Sequence, residues 1–122
     1  MTKIALTVAS PGLDAELDPR FGRATFLLLV DPETLAYEGL ANPGREAPGG
    51  AAVEAAQFLA DHAAAAVISG DFGPKAQRAL DAAGIAMYRF ESCVTAREAL
   101  ERFKARELPA AGAGLRLEDG EG

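Results

Sequence analysis

Val67-Ile68-Ser69-Gly70-Asp71-Phe72-Gly73-Pro74 is an apolar run that empties into a glycine-bracketed loop and ends on a proline. It predicts a buried strand, a tight turn and a helix start. Pro74 suits the first helical position because its missing N–H would lack a partner there in any case, which makes Gly73 the N-cap. Ala76, Ala79, Leu80 and Ala83 then repeat at the spacing of a helix lying on a sheet, and Gly84 supplies the stop. A second apolar run, Ile85 to Phe90, follows. Strand, helix and strand joined by short loops form a right-handed βαβ unit, so two parallel strands end at the same edge of one sheet.

The chain before this unit supplies three more strands and a helix. Ile4, Leu6 and Val8 lie in a nearly continuous apolar run, the pattern of a central strand. Ser10 to Arg23 is a long loop with Pro11, Gly12, Pro19 and Gly22, and long loops inside small domains are often functional. Phe26 to Val30 and Leu35 to Ala41 are strands joined by the turn Asp31-Pro32-Glu33-Thr34, the second at the sheet margin because Glu38 and Gly39 would weaken an interior one. Asn42 to Gly50 is loop, and Val53, Ala56, Leu59 and Ala60 mark a helix from Ala51 to His62. The last helix opens on the capping box Thr95-Ala96-Arg97-Glu98, with Ala96, Ala99, Leu100 and Phe103 as its buried stripe.

The order is therefore βββαβαβα, an α/β domain with a mixed five-stranded sheet of order 3-2-1-4-5, strand 2 antiparallel, and three helices. Residues 1–108 form the single domain. Residues 109–122, rich in Pro, Ala, Gly and acid, are expected to form a flexible acidic tail that cannot bury enough apolar area to offset its ordering entropy.

This strand order brings Ser10–Arg23, Asn42–Gly50, Gly70–Gly73 and Glu91–Val94 to one edge, where α/β sheets bind ligands and where the helix N-termini near Gly73 and Thr95 point. That edge carries Arg20, Arg23 and the chain's one thiol, Cys93. Guanidinium forks and oriented amides suit a compact anion, and a thiol beside a helix N-terminus has reason to become thiolate. Soft sulfur with cationic donors fits an anionic metal–sulfur cluster carrying carboxylates.

Composition narrows the classes. With a net charge of −6 and a pI near 4.7, the surface as a whole repels phosphate backbones, so nucleic acid is not an expected partner. One cysteine allows no internal disulfide, and the apolar stretch after Lys3 is too short for a signal peptide or a membrane span. A cytoplasmic protein that contacts no membrane is expected.

Pro19-Arg20-Phe21-Gly22-Arg23-Ala24, Asn42-Pro43, Gly49-Gly50-Ala51-Ala52, Gly70-Asp71-Phe72-Gly73-Pro74-Lys75-Ala76 and Thr95-Ala96-Arg97-Glu98-Ala99 occur in the same order as in the dinitrogenase iron-molybdenum cofactor biosynthesis family, which the chain resembles from residue 3 to about 106. The resemblance implies a ribonuclease H-like fold and a small, non-catalytic protein that binds or carries an iron-molybdenum cofactor or an iron–sulfur precursor cluster, transiently and in a nitrogen fixation-like setting. A client or scaffold protein is an expected partner, and because the margin strand Leu35 to Ala41 is free to pair between chains, a monomer or weak homodimer is expected. The expected cofactor-binding residues are Arg20, Arg23, Asn42, Gly70, Asp71, Phe72, Gly73 and Cys93, with Cys93 as the metal ligand. Family ligand histidines have no counterpart here, and the family's glycine- and threonine-rich loop before the last helix is replaced by Glu91-Ser92-Cys93-Val94.

Each of these residues also has a purely structural role available. Cys93 can pack under a helix start, and Arg20 and Arg23 can pair with Asp14, Asp18 or Asp71. Asn42 is a turn former, Gly70, Gly73 and Pro74 satisfy turn and capping needs, and His62 can cap the helix it ends. A metal-free module that binds a small anion or a partner protein is thus the alternative function. Nuclease chemistry on this fold needs a carboxylate on the first strand to gather metal ions, and Lys3-Ile4-Ala5-Leu6-Thr7-Val8-Ala9 has none.

Overall fold

The computed structural model describes residues 3–111. Strands β1 (Lys3–Val8), β2 (Phe26–Val30) and β3 (Tyr37–Ala41) are followed by a 3-10 helix (Pro43–Glu46), α1 (Ala51–Asp61), β4 (Ala64–Ser69), α2 (Pro74–Ala82), β5 (Ala86–Arg89) and α3 (Ala96–Lys104). The sheet order is β3-β2-β1-β4-β5, with β1–β4 and β4–β5 parallel and β2 antiparallel to both of its neighbours. This is the expected topology, and it carries the four loops to one edge.

The sheet is covered on both faces, which is why β1 reads as a continuous apolar run. Ala5, Leu27, Leu29, Val67 and Met87 pack under α1 and α2 through Ala55, Ala56, Leu59, Ala76 and Leu80. Ile4, Leu6, Val8, Leu28, Ile68 and Tyr88 face α3 through Ala96, Ala99 and Leu100. Phe103 of α3 meets the Tyr88 ring edge-on at 5.1 Å. The right-handed β4-α2-β5 crossover sends α2 to one face beside α1, so the opposite face would remain bare without α3.

Local differences from expectation have physical causes. Asp31 Oδ1 accepts from the N–H groups of Glu33 and Thr34, and the backbone pair between Asp31 and Ala36 widens the hairpin, so β3 starts at Tyr37 rather than Leu35. On α1, Val53 and Ala60 are exposed while Ala55 is buried. A helix with alanine at five of its eleven positions, on both the buried and the exposed side, carries too little contrast to phase its own buried stripe. The expected tail from 109 is corrected at its start. Arg89 N–H donates to Pro109 O at 3.0 Å and Ala111 N–H to Met87 O at 2.9 Å, so residues 109–111 cover the free edge of β5. The rest of that expected tail lies outside the described residues. Among those described, no helix is long and apolar enough to cross a membrane.

Candidate functional site

Three segments meet above the carboxyl ends of β1 and β4, and small residues let them touch. Asn42 is buried; its Oδ1 accepts from Gly44 N–H at 3.0 Å, and its Nδ2 donates to Phe21 O at 3.2 Å and Gly22 O at 3.4 Å. It therefore ties the 3-10 helix to the turn at 21–22. Arg23 extends the joint, Nη1 donating to the carbonyls of Gly44, Arg45 and Ala47 at 3.2, 3.0 and 2.9 Å. A guanidinium is well placed there, because the last carbonyls of a helical turn lack intrahelical donors. The third segment is the Gly70–Gly73 loop, where a Cβ on Gly70 would lie 2.8 Å from the Cα of Pro19. Only glycine allows the two loops to approach so closely.

Between these segments and the starts of α1 and α2 lies an open cleft of about 570 Å³, within the usual range for a ligand site. Its cations are Arg20, Arg23, Lys75 and Arg78, its one carboxylate is Asp71, and Phe21, Ala52, Pro74 and Ala76 make apolar wall. Four cations against one acid is the reverse of the whole chain, whose net charge is −6. Both helices begin here on glycines, Gly50 and Gly73, and neither start carries a side-chain cap. First-turn amides without side-chain partners, at the positive ends of two helix dipoles, make an electropositive surface whose chemistry suits an anion.

Of the expected residues, Arg20, Arg23, Asp71 and Gly73 line this cleft. Asn42 does not: its amide is consumed by the joint it makes. Phe72 is buried against Phe21, ring centroids 5.6 Å apart, and Gly70 is wedged beneath Pro19 and Phe90, so both shape the cleft from behind. Cys93 lies on the opposite face of the sheet, in the α3 core with Leu13, Leu17 and Phe90, and is 6% exposed. Burial, reinforced by the Glu98 carboxylate, pushes its thiol up, opposite to the thiolate expected beside a helix start.

The α3 N-terminus is occupied as well. Thr95 Oγ1 accepts from Glu98 N–H at 3.3 Å, and the carbonyls of Ala15 and Leu13 accept from the N–H groups of Ala96 and Arg97 at 2.9 and 2.7 Å. Glu98 completes the box one residue early, accepting from Val94 N–H at 2.9 Å. The first half of the long loop thus serves α3 and the second half the cleft. His62 Nδ1 lies 2.8 Å from Phe58 O, capping α1 as expected.

Lys75 and Arg78 escaped the sequence reading, although a signal was present. The first turn of a helix usually gathers acids, and α2 has none there. A lysine where the dipole disfavours it needs another reason, and facing an anion is one.

Arg20 is 63% exposed along its side chain but is clamped to Asp18, whose side chain is 8% exposed. Burial alone would raise the Asp18 carboxyl. Hydrogen bonds from the Arg20 guanidinium and backbone, and the guanidinium charge, outweigh it and hold the carboxyl below its ordinary value. A carboxyl depressed on folding stabilises the native state above its unfolded pKa of about 3.9 and loses that contribution as pH falls through the folded value. Urea midpoints should therefore drop on acidification below about pH 4, and Asp18→Asn should flatten that part of the acid limb. Equal slopes in both proteins would show that the pair contributes nothing.

The fold and the cleft define a small α/β domain with a cation-lined cleft at the carboxyl edge of a mixed sheet. Residues 2–106 match the model of the family described as dinitrogenase iron-molybdenum cofactor, and the chain belongs to that family. Among solved structures, the apo form of the orange protein from Desulfovibrio gigas is 43% identical, with a TM-score of 0.86 over 93% of this chain and 95% of that one. The solution structure of a putative NifB protein from Thermotoga, described as a DUF35 family member, is 27% identical, with a TM-score of 0.80 over 96% and 99% of the two chains. No curated protein sequence matches. Family membership associates the chain with a cofactor-related role.

Proposed function

We propose that the protein is a non-catalytic carrier that holds an anionic metal–sulfur cluster, an iron-molybdenum cofactor or an iron–sulfur precursor, in the cleft between the α1 and α2 N-termini. The observation that carries this reading is the concentration of Arg20, Arg23, Lys75 and Arg78 around two uncapped helix starts in an otherwise acidic chain. Guanidinium, ammonium and amide N–H donors suit the sulfides and carboxylates on the outside of such a cluster. The described lining contains neither thiol nor imidazole, so a cluster held here brings its own inner ligands. Arg23 and Asn42 keep the wall in place, the amides and exposed cations hold the charge, and the apolar floor meets the weakly hydrated sulfide surface. The family and the apo-form neighbour support a cofactor cargo. A client or scaffold protein would receive it, and the carrier is expected to act as a monomer or weak dimer.

Cys93 is left out of this site because its thiol is buried on the far side of the sheet. Mixed anaerobically with a soluble iron–sulfur cubane bearing carboxylate-terminated thiolates and then desalted, the protein should retain iron and visible absorbance. Cys93→Ser should retain the same amount. Raising salt toward about 1 M should release the cargo, since exposed cations are screened over about 3 Å there. Loss of iron in Cys93→Ser alone would return the metal to the thiol. A colourless wild type would favour the metal-free anion or partner-binding module.

A further inference from the structure

We propose that Asp18 is a positioning residue: bonded to Arg20 but outside the cleft lining, it presents the Arg20 guanidinium to the bound anion without touching that anion. The identity of the anion rests on the carrier reading, whereas the presentation of Arg20 does not. A carboxylate next to an anion site is a cost on charge grounds, so its presence calls for a reason other than attraction. The clamp supplies one. Asp18 Oδ1 accepts from Arg20 N–H at 3.0 Å and from its Nε–H at 3.2 Å, while Oδ2 accepts from Nη2 at 3.0 Å. This engages both carboxylate oxygens and one edge of the fork. Nη1 takes no partner among the described residues, and Arg20 lines the cleft.

The main chain of Asp18 is itself rooted in the sheet. Asp18 N–H donates to Thr7 O at 2.9 Å, Thr7 Oγ1 donates back to Asp18 O at 2.6 Å, and the Thr7 and Ser69 hydroxyls lie 2.8 Å apart. Thr7 and Ser69 are fully buried on the two central strands, β1 and β4. The Arg20 backbone also bridges to Asp71 on the neighbouring loop. A long, solvent-exposed arginine therefore starts from a fixed orientation set by the core. Ordering such a side chain only on binding would cost affinity, and prior ordering removes that cost.

The test separates positioning from both bare charge and general structure. Removing the Asp18 charge should tighten anion binding if charge alone matters. If Asp18 orients Arg20, Asp18→Asn should instead weaken binding of the carboxylate-bearing cubane about 5-fold. In an Arg20→Ala background the same substitution should add no further loss. Tighter binding in Asp18→Asn, or an equal loss with and without Arg20, overturns the proposal. A ligand-free readout accompanies this: the Arg20 Nε–H resonance of the wild type should exchange slowly with water and collapse in Asp18→Asn. Fast exchange in the wild type also overturns the proposal, and that measurement needs no variant to fold. A wild type that takes up no cubane sinks the carrier reading alone, and the Nε–H line then decides for Asp18.

Discussion

Lys75→Glu combined with Arg78→Glu should lower cubane retention by about two orders of magnitude while the fold becomes no less stable. Both side chains line the cleft, and both residues are exposed. The double change alters the site by four charge units, and at about 0.5–1 kcal/mol per exposed unit this amounts to about 2–4 kcal/mol. Every 1.4 kcal/mol or so is tenfold in affinity, so about 100-fold is the expected scale. Stability moves the other way. Lys75 sits in the first turn of α2, where the dipole disfavours a cation, and glutamate there should add about 0.3–1 kcal/mol. Isothermal titration with the cubane and a thermal melt read the two effects on the same sample. A variant that binds as well as wild type would remove the electrostatic basis of the cleft. A variant that melts early would instead mean that these cations hold the fold.

Gly44→Ala is expected to be the most damaging small substitution near the site. A Cβ there would run into the carbonyl oxygens of Ala51 and Gly22, both backbone atoms with no side chain to swing aside. The 3-10 helix, the start of α1 and the 21–22 turn meet at this point, so they must separate for the methyl to enter. Overpacking of this kind costs about 1–3 kcal/mol, and the upper end is expected because the obstacles are main chain. The urea midpoint should fall without a change in slope, and cubane retention should fall with it as Arg23 loses its three carbonyls. Gly49→Ala is the control, since a Cβ at Gly49 meets nothing within 4 Å. Equal effects at the two positions would show that the joint is looser than its geometry.

Much of this was legible in the chain. Gly73-Pro74 announced the α2 start, Thr95 the α3 start, and the apolar runs yielded all five strands in their order. Arg20, Arg23, Asp71 and Gly73 line one cleft because the two loops that carry them leave the same sheet edge. The placement of Cys93 failed for a reason the chain also contained. β1 is apolar at successive positions, so both faces of the sheet needed cover. With α1 and α2 on one face, only α3 could cover the other, and the loop that leads into α3 had to carry Cys93 with it.

The sequence by itself determined the elements, their order and the edge at which the loops gather, because periodicity, capping residues and crossover handedness are local properties. Only the tertiary structure decided which side of the sheet each loop serves and which donors remain free once the fold has used the rest. Asn42 and the α3 amides were spent on the scaffold, whereas Lys75, Arg78 and the starts of α1 and α2 were left facing the cleft. Hydrogen-bond partners many residues apart make that choice, and no local pattern records it.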